Sequence, residues 1–333
     1  MTKLLSFTSG EVQAFLGDIA PSTCGGSAYL CGNVGSLTVG LIDAWDVLYS
    51  WSSYRKEWGY LSKITSLLGN STTIESLNNQ GVSNMKLICN ALNSPKTSVK
   101  FNNSQTLMVY LDAFEIAVNK FHAKTGFKIR DGAGTGTTNG AVKELTIANS
   151  RNLDGGWFGI REMNQLEASN VSRIDWDFDD DAYDCGNNSC QFDVEMVAGQ
   201  TPRYYEYKSK SMNTDADSPV EINPKQFKAY LSKIANMAEL EYVFQTEKLY
   251  KGGGTTFTLE QGLANRFKKL ISNDIDGFFN VIWANTALRG SLFPETVGKD
   301  DDWLDKNEIR LKGEFAIRIS DTSNIFYNFI KTR

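Results

Sequence analysis

The chain has 333 residues, which is enough for one large domain or two modest ones. Hydrophobic residues make up 41% and aromatic residues 12%, a composition that indicates a packed globular protein and excludes a disordered one. The net charge of −5 argues against broad, non-specific affinity for nucleic acid, because that affinity comes from lysine and arginine side chains that neutralise phosphates. It does not exclude a nuclease whose bound cation offsets the local acidity.

Several other classes of protein are also disfavoured. No segment approaches the roughly 18 consecutive apolar residues of a membrane-spanning helix, so we expect no membrane partner. The first residues do not form a secretory signal peptide, which predicts a cytosolic protein, one exported by another route, or a fragment of a longer chain. The single histidine, His122, leaves no histidine pair for acid–base catalysis or zinc binding. Hydrolytic chemistry in this chain should therefore use carboxylates, lysine and a metal ion.

The N-terminal part is predicted to be mainly helical, over residues 1–140. Apolar residues recur at helical spacing in 41–68, in 84–92 and in a stretch that ends at His122. The glycine-rich segment 132–140 lacks the flanking strand and lysine of a nucleotide-binding loop, so it is interpreted as a linker or exposed loop. Residues 141–333 would form the second domain.

The second domain begins with a predicted helix over 158–168. Three short strands follow, around Ile174, over 191–196 and over 203–209, with a turn at 199–202 between the last two. Asn223 is a good N-cap and Pro224 a good first residue for a helix that carries Phe227, Tyr230, Leu231, Ile234 and Met237 or Ala238 on its apolar face. Leu240, Tyr242 and Phe244 then alternate as a further strand.

The C-terminal residues 255–333 are predicted to extend this domain. A helix is expected over 259–271, whereas the apolar run 278–283 fits either a helix or a strand. Residues 309–319 and 325–330 have the alternation of strands, which would extend the central sheet or cover a site.

The five cysteines leave the redox state open. Cys185 and Cys190 could close a small disulfide loop, as could Cys24 and Cys31, whereas Cys89 has no obvious partner. The spacings do not match common zinc sites. Reduced thiols are favoured over disulfides.

The pattern that carries chemistry is D-x12-E-x-K, formed by Asp193, Glu206 and Lys208. Glu206 and Lys208 share one face of a strand, and a hairpin would bring Asp193 beside them. Two carboxylates suit Mg²⁺ or Mn²⁺, and the backbone carbonyl of Tyr207 would complete the ligand set. A neighbouring ammonium can orient water and stabilise a phosphoryl transition state, so the pattern indicates phosphodiester hydrolysis. The alternative is a solvated hairpin in which these are ordinary surface charges.

The order helix, three strands, helix, strand, with D-x12-E-x-K on the second and third strands, resembles the core of the PD-(D/E)-x-K nuclease superfamily. The resemblance covers about residues 155–247 and is nearest to nuclease modules of bacterial polymorphic toxins. It implies a restriction-endonuclease-like α/β fold, an α-β-β-β-α-β mixed sheet flanked by helices. It also implies that Asp193 and Glu206 bind metal, that Lys208 is the catalytic lysine, and that Gln226 contacts the site. Phe192 stands where the superfamily's name has proline.

The same resemblance implies a glutamate on the first helix, for which Glu162 is the first choice and Glu167 the second. The predicted function is therefore a metal-dependent endonuclease acting on DNA, with RNA not excluded. A toxin module of this kind would be exported, act in the cytoplasm of a target cell and bind a cognate immunity protein. Two alternatives stay open: an inactive nuclease fold that binds protein, and a glycosidase using Asp175, Asp177 and Glu195.

Overall fold

The computed structural model describes residues 43–44, 46–47, 58–78, 80–92, 104–131, 138–147, 150–178, 190–252 and 256–333. These residues form two compact units, Met1–Gln165 and Leu166–Arg333, which are described separately. In the part of the chain so described, no helix is long and apolar enough to cross a membrane.

The first unit is built from helices. The helices predicted near 84–92 and before His122 are present, as Gly81–Leu92 and Ser104–Phe121. The helices are α1 (Trp58–Gly69), α2 (Ser71–Ser76), α3 (Gly81–Leu92), α4 (Ser104–Phe121), α5 (Ala141–Glu144) and α6 (Ser150–Met163). The sixth begins and ends earlier than the helix predicted over 158–168, and a separate 3-10 turn forms at Ala168–Asn170.

The described residues of the glycine-rich segment and those that flank it belong to the first unit. Strand β1 (Arg130–Asp131), just before the segment, pairs antiparallel with β2 (Thr138–Asn139), near its end, while residues 132–137 lie outside the described part. The N–H of Ala141 donates to the Gly126 carbonyl at 2.9 Å, which joins α5 to the chain before the segment. The Asn164 side chain likewise donates to the Ala113 carbonyl at 2.9 Å. These two bonds connect Ala141 and Asn164 to earlier residues of the first unit.

The second unit confirms an α/β fold with a mixed sheet. Its sheet has five strands, in the order β3-β4-β5-β7-β9. The strands of this unit are β3 (Val171–Phe178), β4 (Cys190–Met196), β5 (Tyr204–Lys208), β6 (Met212–Asn213), β7 (Leu240–Phe244), β8 (Leu249–Tyr250) and β9 (Ile330–Thr332). The first three sheet strands are antiparallel, whereas β5, β7 and β9 run parallel. The hairpin predicted from the turn at 199–202 is thus confirmed.

Helix α7 (Pro224–Lys233) begins at the predicted residue. The Asn223 side chain accepts a hydrogen bond from the Lys225 N–H, and Pro224 occupies the first turn. The helix ends earlier than predicted because Ile234 is extended, with φ −90° and ψ 146°. Met237 therefore lies in a short 3-10 turn, which leads directly into β7.

The C-terminal part is helical where strands were predicted. It contains α8 (Leu259–Ser272), α9 (Ile275–Ala284), α10 (Thr286–Leu292) and α11 (Asp301–Ser320). The strand predicted over 309–319 is wrong, because Leu304, Leu311, Phe315 and Ile319 form a buried stripe at helical spacing. Ile309 and Ile317, which suggested strand alternation, are 87% and 72% exposed. The strand predicted over 325–330 is also mostly wrong, since Ile325–Phe329 is a 3-10 turn and only β9 extends the sheet.

The cysteine prediction is wrong at one residue. Cys190, at the start of β4, is disulfide-bonded, although reduced thiols were favoured. Residue spacing alone does not reveal the redox state, and Cys24, Cys31 and Cys185 lie outside the described residues. Cys89 is a free thiol, and burial raises its pKa to about 12.

The core of the second unit lies between the sheet and helices α7 to α11. Phe227 stands at its centre, with its ring 5.3 to 5.9 Å from four other aromatic rings. Those rings belong to Tyr242, Phe267, Phe278 and Phe329. The packing of this cluster positions both α7 and β7.

We expect Phe227→Ala to lower the free energy of unfolding of the second unit by about 3–5 kcal/mol, because a large cavity would open among rigid neighbours. Urea denaturation followed by aromatic fluorescence measures this change. Ile309→Ala is the control, and it should change stability by less than about 0.5 kcal/mol because that side chain is exposed. Equal effects of the two substitutions would contradict this account of the core.

Candidate active site

The register of three strands brings the predicted site residues to one region of the sheet. Strands β4 and β5 pair through Val194 with Tyr205 and through Glu195 with Tyr204. Asp193 and Glu206 are the next positions along these two strands. On the other side of β5, Glu206 pairs with Tyr242 of β7. The pair of Val194 with Tyr205 adjoins both residues, so Asp193 and Glu206 are main-chain neighbours across the two strands.

The Asp193 carboxylate is fixed by the backbone of the neighbouring strand. Its Oδ2 accepts a hydrogen bond from the Tyr207 N–H at 2.5 Å. The ladder between β4 and β5 ends at the adjacent pair, so this carboxylate satisfies a main-chain donor that faces β4. The aspartate is thereby held at the junction of the two strands.

The Glu206 carboxylate is buried and held from two sides. It is 3% exposed. Its Oε1 accepts a hydrogen bond from the Lys208 ammonium, and its Oε2 accepts one from the Tyr230 hydroxyl at 2.6 Å. The Lys208 side chain is 25% exposed, so the ammonium lies where the buried carboxylate approaches solvent. A charged hydrogen bond of this kind orients both partners.

Helix α7 supplies the second layer of this network. Gln226 and Tyr230 are four residues apart and therefore share a helix face. The Gln226 amide donates to the Tyr230 hydroxyl at 2.6 Å, and that hydroxyl also lies within hydrogen-bond reach of the Gln191 carbonyl. A phenol has one proton, so it donates to either Glu206 or Gln191 at any moment. The bonds run from Gln226 through Tyr230 and Glu206 to Lys208.

Two buried tyrosines lie close to the carboxylates. Burial raises the pKa of the Tyr230 phenol well above its usual value, and the charge of Glu206 raises it further. Burial also raises the pKa of the Tyr242 phenol, to which Glu206 and Asp193 add. Both phenols therefore remain protonated at neutral pH and are available as hydrogen-bond donors.

The described contacts of two predicted site residues, Tyr207 and Glu162, do not test the roles predicted for them. Tyr207 contributes its N–H, and its ring stacks with Tyr205 at a centroid distance of 6.0 Å on the opposite face of β5. Its carbonyl as a metal ligand stays a prediction. Glu162 belongs to the first unit, where it is buried on α6 with its Oε1 3.3 Å from Arg161 Nε. A role for Glu162 at the site also stays a prediction.

The strand next to Asp193 is irregular. The pairing of β3 with β4 runs from Ile174 with Val194 to Trp176 with Phe192, which leaves Asp175 opposite Asp193. Asp175 has φ +51°, a left-handed conformation that is uncommon within a strand. The main chain is therefore distorted directly beside the candidate site.

Glu195, one of the residues of the glycosidase alternative, is hydrogen-bonded to two arginines of the second unit. Glu195 is buried, and its two oxygens accept hydrogen bonds from Arg173 and Arg203. Both arginines lie in or beside the same sheet, so the three charges join β3, β4 and the start of β5. This arrangement gives no support to Glu195 as a catalytic acid.

The donor set fits a hard divalent cation. Among the described residues, no three Asp, Glu, His or Cys side chains converge as metal ligands. Asp193 and Glu206 offer two carboxylates, and Mg²⁺ commonly binds one or two carboxylates and fills its other positions with water and phosphate. The Tyr242 hydroxyl is buried with no hydrogen-bond partner in the part of the chain that the structure describes, and its pKa is raised by burial and by the charges of Glu206 and Asp193. These residues therefore suit Mg²⁺ or Mn²⁺.

The sequence pattern missed the Tyr230 hydroxyl and the Gln191 carbonyl as members of this hydrogen-bond network, and it missed the buried hydroxyl of Tyr242. The spacing of Gln226 and Tyr230 on one helix face was an available signal for the first. Tyr242 had a weaker signal, because it alternates with Leu240 and Phe244 and was expected only to pack in the core.

Comparison of the chain with protein-family models, with curated proteins and with solved structures finds no match.

Proposed function

We propose that this protein is a metal-dependent endonuclease that hydrolyses phosphodiester bonds of DNA. The observation that carries the proposal is the buried Glu206 carboxylate, bonded to Lys208 and Tyr230 and adjacent in register to Asp193. Glu206 differs from the equally buried Glu195, whose two oxygens are both bonded to arginines, because it has one ammonium at Oε1 and a phenol at Oε2. Carboxylates with an adjacent ammonium match the needs of phosphoryl chemistry.

The order of elements supports a restriction-endonuclease-like core. Helix α6, strands β3, β4 and β5, helix α7 and strand β7 follow one another in the order α-β-β-β-α-β, interrupted by the short β6. The sheet is mixed, as the resemblance to PD-(D/E)-x-K nucleases implies. Asp193 lies on the second strand of this order, and Glu206 and Lys208 lie on the third.

Each side chain then has a distinct role. Asp193 and Glu206 would hold the metal ion, while Tyr230 and Gln226 keep the Glu206 carboxylate in place. A bound Mg²⁺ would lower the pKa of its water and neutralise charge on the phosphate. The Lys208 ammonium is positioned to orient the attacking water or to donate to a phosphoryl oxygen.

The biological setting follows from the resemblance to polymorphic-toxin modules. We propose that the protein is an exported bacterial effector that acts in the cytoplasm of a target cell. A cognate immunity protein would then bind it tightly in the producing cell. Co-purification with the product of the adjacent downstream gene tests this partner.

The experiment that tests the activity is degradation of plasmid DNA and of total RNA by the purified chain. We expect plasmid cleavage with Mg²⁺ or Mn²⁺ and none after chelation by EDTA. Cleavage of RNA alone would change the substrate but keep the chemistry. Cleavage that survives EDTA would refute the metal-dependent assignment, and no binding of metal at millimolar concentration would favour a protein-binding module instead.

A further inference from the structure

Tyr242 places a buried hydroxyl within the core of the second unit. The residue is 0% exposed, and its hydroxyl has no hydrogen-bond partner among the described residues. Its ring packs against phenylalanines, including Phe227, Phe267 and Phe329. A phenylalanine would fill the same space without burying an unsatisfied hydroxyl, which destabilises a folded protein. This tyrosine therefore carries a cost that packing does not explain.

Tyr242 lies on the same face of the sheet as Glu206. Tyr242 and Glu206 are paired in the parallel register of β5 and β7, so their side chains leave the sheet on the same face. The Tyr230 ring, whose hydroxyl bonds to Glu206, has its centroid 5.9 Å from that of Tyr242. The charges of both Glu206 and Asp193 act on the Tyr242 phenol, which is consistent with this placement.

The hydrogen bonds of the Glu206 carboxylate indicate that another donor would be needed when a cation binds. The Lys208 ammonium occupies Oε1, and the Tyr230 hydroxyl occupies Oε2. A cation that binds through Oε1 must share that oxygen with the ammonium or displace it, because like charges repel at short distance. Tyr230 can also turn its single proton to the Gln191 carbonyl. A second buried donor would keep the Glu206 carboxylate oriented when the cation binds and the Tyr230 proton turns away.

We propose that Tyr242 is a positioning residue for metal binding, with its buried hydroxyl serving as a donor to the Asp193–Glu206 carboxylates when they hold a divalent cation. The inference rests on the proposed function, because it requires a cation at these two residues. It assigns a role to a hydroxyl that the described network of Gln226, Tyr230 and Lys208 does not use. Groups that orient metal ligands typically change metal affinity by about 10- to 100-fold when removed.

The test is Tyr242→Phe in the full chain, measured by calorimetric titration with Mn²⁺ and by thermal unfolding in EDTA. We expect the Kd for Mn²⁺ to rise at least about tenfold. The Tm in EDTA should stay the same or rise, because the substitution removes a buried hydroxyl that lacks a partner. A residue with a merely structural role would not weaken binding while preserving stability.

Two further variants make the outcomes separable. Tyr327→Phe is the control, because its hydroxyl donates to the Ile319 carbonyl at 2.7 Å; it should lower the Tm and leave Mn²⁺ binding unchanged. Glu206→Gln should remove Mn²⁺ binding. Binding by the wild type with an unchanged Kd in Tyr242→Phe would overturn this inference alone. No binding by the wild type would overturn the proposed function and this inference with it.

Discussion

Glu206→Gln is expected to reduce metal-dependent DNA cleavage by at least about a hundredfold. Glutamine keeps the shape of the side chain and can still accept a hydrogen bond from Tyr230, but it removes the negative charge that would attract the cation. Rates of plasmid nicking at saturating Mn²⁺ measure the loss, and Mn²⁺ titration should show that binding is lost with it.

Glu195→Gln is the matched control for this substitution. Glu195 is also a buried glutamate of the central sheet, but its oxygens are bonded to Arg173 and Arg203. Its replacement should lower the Tm, because two guanidinium groups lose their anion, while cleavage per folded molecule stays near wild type. Wild-type cleavage by Glu206→Gln would show that this carboxylate does not hold the cation.

Lys208→Met is expected to separate catalysis from metal binding. Methionine keeps much of the apolar stem but removes the ammonium that bonds to Glu206 Oε1. Cleavage should fall by about a hundredfold or more, since the donor to water or phosphate is lost. The Kd for Mn²⁺ should stay the same or decrease, because a positive charge beside the ligand no longer opposes the cation.

Lys210→Met provides the control for the second substitution. Lys210 lies two residues after Lys208, beyond the end of β5, and forms an ion pair with Glu221. We expect both cleavage and Mn²⁺ affinity to remain within about threefold of wild type, because such partly exposed ion pairs contribute little. If Lys208→Met weakened Mn²⁺ binding as strongly as it weakened cleavage, the lysine would have a structural role rather than the catalytic one assigned here.

The parts of the fold that sequence predicted are those fixed by local signals. The turn at 199–202 and the alternation on either side of it specify the β4–β5 hairpin. The Asn223 cap and Pro224 specify the start of α7. Asp193, Glu206 and Lys208 lie on this hairpin, and the contact between Glu206 and Lys208 agrees with their predicted place on one face of a strand.

The parts that sequence missed depend on distant contacts. Residues 309–319 contain apolar side chains at alternate positions, yet only the set at helical spacing is buried against the rest of the unit. Strand β9 has three residues and pairs with β7, far from it in sequence, so no local pattern distinguishes it. The left-handed backbone of Asp175 likewise has no local signal in the sequence.

Among the residues around Glu206, one was also predicted from the sequence and two were not. Gln226 was expected near the site from the resemblance, and the structure connects it to Glu206 through Tyr230. Tyr230 and Tyr242 were expected only as apolar residues of a helix and a strand. The Tyr230 hydroxyl reaches Glu206 because α7 packs against the sheet, which a one-dimensional pattern does not contain.

Anomalous X-ray scattering from crystals soaked in Mn²⁺ tests the central claim most directly. We predict a single strong peak about 2 Å from a carboxylate oxygen of Asp193 and equally close to one of Glu206. A Mn²⁺ peak that contacts only one of these residues, or that lies elsewhere while both carboxylates keep their present bonds, would contradict the account.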